Sequence, residues 1–140
     1  MERRTYLATL GAGALAGLAG CTAFGNAEYD IGMTANGFTP ETYEASVGET
    51  VVWRNTSSRG HTVTAYENAI PDDAEYFASG GYETEEAARD AWHNDFGGNI
   101  DVQDTYQHTF EVAGEYNYVC IPHERGGMVG VVVVTDDRTS

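Results

Sequence analysis

Between Cys120 and Met128 the chain "CIPHERGGM" carries a thiol (Cys120), an imidazole (His123) and a thioether (Met128), with Pro122, Gly126 and Gly127 among them. Thiolate and thioether are soft donors that suit Cu(I), and imidazole serves both oxidation states of copper. A trigonal set of two imidazoles and one thiolate, with a weak axial thioether, holds a copper ion that gains and loses one electron. This short loop therefore offers three of the four donors such a site needs.

The fourth donor must come from elsewhere among the chain's four histidines. His93 lies in a segment with helical character, where nothing fixes it against the Cys120 loop. His108 sits in mid-strand on the same side as Tyr106 and Phe110, a position suited to packing. His61 follows the turn-like "NTSSRG" and begins a β-rich run, so the end of a loop can present it. Since the ligand has to reach across from the end of a neighbouring strand, His61 is favoured, with His108 the next candidate.

Other chemistries fit less well. A closed zinc site wants a Cys, His or carboxylate where Met128 stands, and Glu124 is the residue able to supply one. A copper oxidase or nitrite reductase needs further copper centres, and only His93 and His108 are left to build them. A store or chaperone for copper uses the same donors, but exchange favours flexible, exposed ligands over ligands framed by strands.

The elements that must position these donors are short strands with turn residues between them. "YDIGMTA", "ETYEASV", "GETVVWRN" and "HTVTAY" form a first group, with "GFTP" read as a turn. "DTYQHTFEV", "AGEYNYVC" and "MVGVVVVTD" form a second, with the last largely buried. The fold class that follows is all-β, a Greek-key antiparallel sandwich of about seven strands. A helical insertion interrupts it between Glu67 and Asp104. There "TEEAARDAWHNDF" has Thr84 as N-cap and two acidic residues in its first turn, and "PDDAEYF" offers an earlier helical turn. The insertion's acidic face reads as solvated surface.

The chain has 7 basic and 22 acidic residues, and all the basic ones are arginine. Nucleic acid and anionic membrane surfaces, which need clustered positive charge, are excluded as partners. Such an acidic surface repels itself unless salt screens it, and the composition resembles that of secreted halophilic proteins.

The N-terminus, "MERRTYLATLGAGALAGLAGC", reads as a targeting segment, with an uncleaved membrane anchor as the other reading. Its twin arginine, with Tyr6 and Leu7 behind it, resembles a Tat export signal, and "LAGC" resembles a lipobox ending at Cys21. The expected organisation is a signal over residues 1–20, a lipidated tether over 21–27 anchored through Cys21, a domain over 28–136 and a tail over 137–140. With Cys21 taken by the lipid, Cys120 is left without a disulfide partner, and an exported free thiol is open to oxidation unless something holds it. A bound metal does so. "NTS" at Asn55 to Ser57 also matches a glycosylation acceptor.

The ligand spacing, placed at the end of a β-rich chain with an earlier strand-end histidine, resembles the plastocyanin-type cupredoxins, and the acidic, lipidated character resembles halocyanins. The resemblance covers residues 28–136. It implies one type 1 copper ion, with His61, Cys120 and His123 as equatorial ligands and Met128 as the axial one. It further implies a monomeric one-electron carrier with no catalytic residues, tethered to the outer face of the cell membrane and exchanging electrons with membrane redox proteins of a respiratory chain. Pro122, lacking an N–H, leaves the Cys120 sulfur one donor fewer, and Gly126 and Gly127 let the loop turn back to Met128. The sequence departs from the family pattern at Thr62, where Asn is common, and at Val119, where many plant members have Tyr. Gly60 leaves room for its carbonyl to act as a distant fifth ligand.

Overall fold

A computed structural model describes residues 29–136. The signal, the lipidation site Cys21, the tether and the tail fall outside the described residues. Eight strands form two four-stranded sheets. In chain order they are β1 (Ile31–Met33), β2 (Phe38–Thr39), β3 (Thr42–Ser46), β4 (Thr50–Asn55), β5 (Thr64–Ala65), β6 (Thr105–Thr109), β7 (Gly114–Val119) and β8 (Val129–Thr135). One sheet runs β2-β1-β4-β6 and the other β3-β8-β7-β5.

The alternation expected from the sequence fills the space between the sheets. In β4, Val51, Trp53 and Asn55 are buried while Thr50, Val52 and Arg54 are partly open, the period of two that a half-buried strand requires. Trp53 is the hub of the core. Its ring lies 5.4 Å from Tyr118, 5.6 Å from Tyr106 and 6.4 Å from Phe110, all tilted or edge-on, as the quadrupoles of aromatic rings prefer. From the opposite sheet, β8 contributes Val132 and Val134, both buried.

The antiparallel reading is refined at two pairings. β1 lies parallel to β4 and β3 parallel to β8, because the chain leaves the first sheet after β2, crosses to β3 and returns at β4. The "GFTP" turn holds a two-residue strand of its own, which pairs with β1. "HTVTAY" is a strand only at Thr64 and Ala65, although His61 through Ala65 are all buried.

The insertion explains that burial. It delivers one α-helix, α1 (Glu85–Asp95), with Thr84 capping the Ala87 N–H at 3.0 Å and Phe96 closing it at φ 57°. "PDDAEYF" is no helix: Ala74 donates to the Pro71 carbonyl in a single turn, and a short 3₁₀ segment lies upstream at Glu67–Ala69. Pro71 lacks the N–H a continuing helix needs and keeps the residue before it extended, as Ile70 is at φ −132°, ψ 162°. Past that turn the insertion runs beside residues 61–65. Ala65 donates to Phe77 at 3.1 Å, Ser79 donates to Val63 at 2.7 Å, and His61 and Ile100 exchange both backbone bonds at 3.3 and 2.7 Å. Among the described residues no helix is long and apolar enough to cross a membrane.

Candidate metal centre

The end of β7 carries Cys120, and a 3₁₀ stretch, Ile121–Gly126, carries His123 back toward β8. Two backbone bonds tie this loop shut: Cys120 donates to the Met128 carbonyl at 3.0 Å, and Met128 donates to the His123 carbonyl at 3.3 Å. Gly127, at φ 89°, closes the stretch in the left-handed region that favours glycine. Gly126 has ordinary backbone angles and open space around it, so the expectation that both glycines shape the turn narrows to Gly127.

Across from this loop stands His61. Its Nδ1 is 3.4 Å from the Cys120 sulfur, His123 Nδ1 is likewise 3.4 Å from that sulfur, and the two rings are 4.8 Å apart. The three ligand atoms lie within 4.8 Å of one another, the spacing that one shared ion requires. His61, Cys120 and Met128 are fully buried, and His123 is partly open.

His108 takes no part. Its ring stacks on Phe77 at 4.7 Å and meets Phe110 edge-on at 4.8 Å. His93 is exposed in the last turn of α1. Glu124, the carboxylate a zinc site would recruit, is taken: both its oxygens accept from Arg89, at 2.8 and 3.1 Å, and Oε2 also accepts from the Tyr66 hydroxyl. These contacts hold its carboxyl below the ordinary range, Arg89 being the main cause.

The electrostatics favour neutral imidazoles and a guarded thiol. Burial lowers His61 to about 4, helped by the neighbouring His123 and Arg59 and opposed by the Thr34 carbonyl. Burial also lowers His123, with Arg59 adding to the effect. Both rings are therefore neutral at pH 7 and can offer a lone pair to a cation. Burial raises the Cys120 thiol, while hydrogen bonds from Thr62 and His123 pull it back. The Thr62 N–H points at the sulfur at 3.4 Å.

Thr62 also joins the two ligand loops through its side chain, since its hydroxyl oxygen accepts the Ile121 N–H at 2.9 Å. Val119 and Tyr118 are both fully buried, so neither presents a surface. Gly60 lies against the Asn99 amide, and a Cβ there would push that exposed side chain aside.

Three supporting residues escaped the sequence reading. Asn55 is fully buried and works as a hub. Its Nδ2 donates to the Arg59 carbonyl at 2.6 Å and the Ile100 carbonyl at 2.9 Å, while its Oδ1 accepts from the Ser57 N–H and hydroxyl at 2.9 and 2.8 Å. In this folded state the amide nitrogen has no access for a glycan, which overturns the acceptor reading of "NTS". Ser57 Oγ lies 2.9 Å from His61 Nε2. With Nδ1 facing the sulfur, Nε2 is the nitrogen that meets Ser57, and this contact holds the ring plane. Arg89 binds Glu85 one turn earlier at 2.8 Å and clamps Glu124, so the acidic insertion braces the His123 loop. The "NTS" run was visible in the sequence, but its polar residues gave no sign of pointing inward.

A buried thiol, two neutral imidazoles converging on it and a buried methionine on the same loop form a donor set that fits one type 1 copper ion. Set at the end of a two-sheet sandwich, they define a cupredoxin. Consistent with that class, the family model described as copper binding proteins, plastocyanin/azurin family, matches residues 26–135. The chain belongs to this family. It is 32% identical over 97 residues to the chloroplastic plastocyanin of Tetradesmus obliquus, covering 69% of this chain and 57% of that one. It is 31% identical over 97 residues to the plastocyanin of Vicia faba, covering 69% and 86%. The first of these matches spans little more than half of the algal chain. The pseudoazurin structure from Methylobacterium extorquens superposes with a TM-score of 0.55 at 23% identity, covering 78% of this chain and 76% of that one, and bears on the fold alone.

Proposed function

We propose that this chain is a one-electron carrier in which His61, Cys120 and His123 are the equatorial ligands of a type 1 copper ion and Met128 is the axial one. The observation that carries the reading is the 3.4 Å approach of both imidazole Nδ1 atoms to one buried sulfur. Copper held there supplies a Cu(I)/Cu(II) couple, with no substrate to bind. The chain's own residues supply the frame. Ser57 and Asn55 fix His61 from behind, the Thr62 N–H shares the sulfur's charge, and Arg89 holds the loop that carries His123. A frame braced on every side keeps the donors in one arrangement through both oxidation states, which fast electron transfer requires. His123, the partly open ligand, is the edge through which the electron passes. A store or delivery protein would need ligands that open readily, and three of these four have no exposed surface.

The wider reading follows the N-terminal sequence. The chain is exported by a Tat-type signal, lipidated at Cys21, monomeric, and held at the outer face of the cell membrane, where it exchanges electrons with respiratory-chain redox proteins in the manner of a halocyanin. What supports it is the "ERRTYL" and "LAGC" pattern and the strongly acidic composition. Cell fractionation of a Cys21→Ser variant tests the anchor: the variant should be released, and its retention in the membrane would refute lipidation there.

For the metal centre, the copper-loaded domain should be intensely blue and bleach on reduction, with one copper per chain. Cys120→Ser should abolish the colour, while His108→Ala should leave it. Met128→Leu should keep the colour and raise the potential. A colourless Cu(II) form, or a blue His61→Ala variant, would overturn the assignment.

A further inference from the structure

The two ligand loops, residues 56–62 and 120–128, carry a charge balance opposite to that of the rest of the molecule. The chain has 22 acidic residues, yet these loops contain one carboxylate, Glu124, and Arg89 neutralises it from α1. They also contain Arg59 and Arg125, both exposed. Neither arginine is in a salt bridge with any described residue. The remaining arginines of residues 29–136 are occupied elsewhere, Arg89 with two glutamates and Arg54 with the Gln103 side chain at 2.7 Å. Among the described residues, two of the three arginines without a carboxylate partner therefore stand at the metal-bearing end, the third being Arg54, whose partner Gln103 is neutral.

Their placement is held by the backbone. The Arg59 carbonyl accepts from Asn55 at 2.6 Å and its N–H donates to Ser57 Oγ at 3.1 Å. Arg125 sits in the 3₁₀ stretch that carries His123. Arg59 is also the charged side chain whose field reaches both histidines. Beside Arg125, the space around Gly126 and Gly127 is open, so a partner can approach the loop closely. Asp101 also lies beside this rim, its Oδ1 accepting from the Asn99 amide next to Gly60.

We propose that the end of the molecule around His123 is a cationic docking surface, and that it receives a redox protein whose own electron-entry face carries carboxylates. This rests on the electron-carrier reading above. The charge pattern selects orientation: an acidic partner is repelled by the acidic body and attracted at the two arginines, so productive encounters form with His123 facing it. A basic partner would instead be drawn to the acidic sides, away from the ligand edge.

The test follows electron transfer from the Cu(I) protein to hexacyanoferrate(III), an anion, by stopped-flow at ionic strengths from about 10 to 200 mM, over which the screening length shortens from about 30 to about 7 Å. If the net charge governed the encounter, the rate would rise with salt. Attraction at the local rim requires it to fall, by about threefold. Arg59→Gln/Arg125→Gln should reverse the slope while keeping the blue absorption of the oxidised protein. A wild-type rate that rises with salt, or a double variant with unchanged slope, would overturn the proposal. A wild-type protein that never becomes blue would sink the electron-carrier reading instead. For the class of partner, a hexaglutamate peptide should shift amide resonances of residues 57–60 and 123–127 in the Cu(I) form, whereas inorganic phosphate at equal charge concentration should not. Equal shifts with phosphate, or arginine-dependent co-sedimentation with phosphatidylglycerol vesicles, would assign the rim to a small anion or a lipid headgroup and refute a protein partner.

Discussion

Replacing Asn55 by Ala removes four hydrogen bonds at once, and the structure allows the loss to be apportioned. The bond to the Ile100 carbonyl is fully buried, but that oxygen keeps a second donor, the His61 N–H at 3.3 Å. The bonds to Arg59 and Ser57 are partly open, so water can replace some of them. A typical hydrogen bond contributes about 0.5–1.5 kcal/mol net, and a buried group left unpaired costs about 1–3 kcal/mol. With water repairing the Ser57 side, the expected loss is about 3 kcal/mol, within a range of about 2–4. Urea unfolding of the apo-protein measures it, provided the m-value stays unchanged. The copper form should show a second effect, because Ser57 loses the acceptor that aims it at His61: the blue band should broaden and copper should leave faster to a chelator. Asn55→Asp offers the complement. It keeps the acceptor side and places a carboxylate oxygen against two carbonyls, so it should be at least as destabilising as Asn55→Ala. A loss below about 1 kcal/mol for Asn55→Ala, with unchanged copper release, would refute the hub.

Three further outcomes are expected. A double-mutant cycle of Arg89→Ala and Glu124→Ala should give a coupling of about 1 kcal/mol, since the pair is bidentate but about a third exposed at Glu124; zero coupling would mean that α1 does not brace the loop. His108 is held below its ordinary range by burial, so the unfolded chain binds more protons than the folded one as pH falls below about 6.5, and stability must fall with it. Unfolding of apo His108→Gln at pH 5 and pH 8 should show a smaller difference than the wild type, and an equal difference would count against the burial of His108 as the cause. Phe96 closes α1 at φ 57° while 67% exposed, so Phe96→Gly should stabilise by about 0.5–1 kcal/mol in thermal unfolding, and a loss would show that its contact with Trp92 outweighs the strain.

Several features of this protein were legible in the residues alone. Strands β3, β4, β6, β7 and β8 announced themselves by alternation and turn chemistry, and α1 by its N-cap and helix formers, because these are local effects of period and capping. Cys120, His123 and Met128 could be grouped because one loop holds them within bonding reach whatever the rest of the fold does. The short β2 was missed, since two residues cannot display a period, and "PDDAEYF" misled because Phe77 is drawn into the core from an extended run whose carbonyl bonds the Ala65 N–H, a long-range contact that local helix propensity does not show.

What the sequence by itself determined was the kind of chemistry: a soft donor set on one loop, a β framework to hold it, and an acidic surface around it. Tertiary structure decided which histidine completes the set, because His61 and His108 differ in what lies opposite them, a thiol in one case and Phe77 in the other. It also decided the roles of Asn55, Ser57 and Arg89. Their side chains are polar and their neighbours distant in sequence, so only the closing of the two sheets and the docking of the insertion turn them from surface residues into the frame of a metal centre.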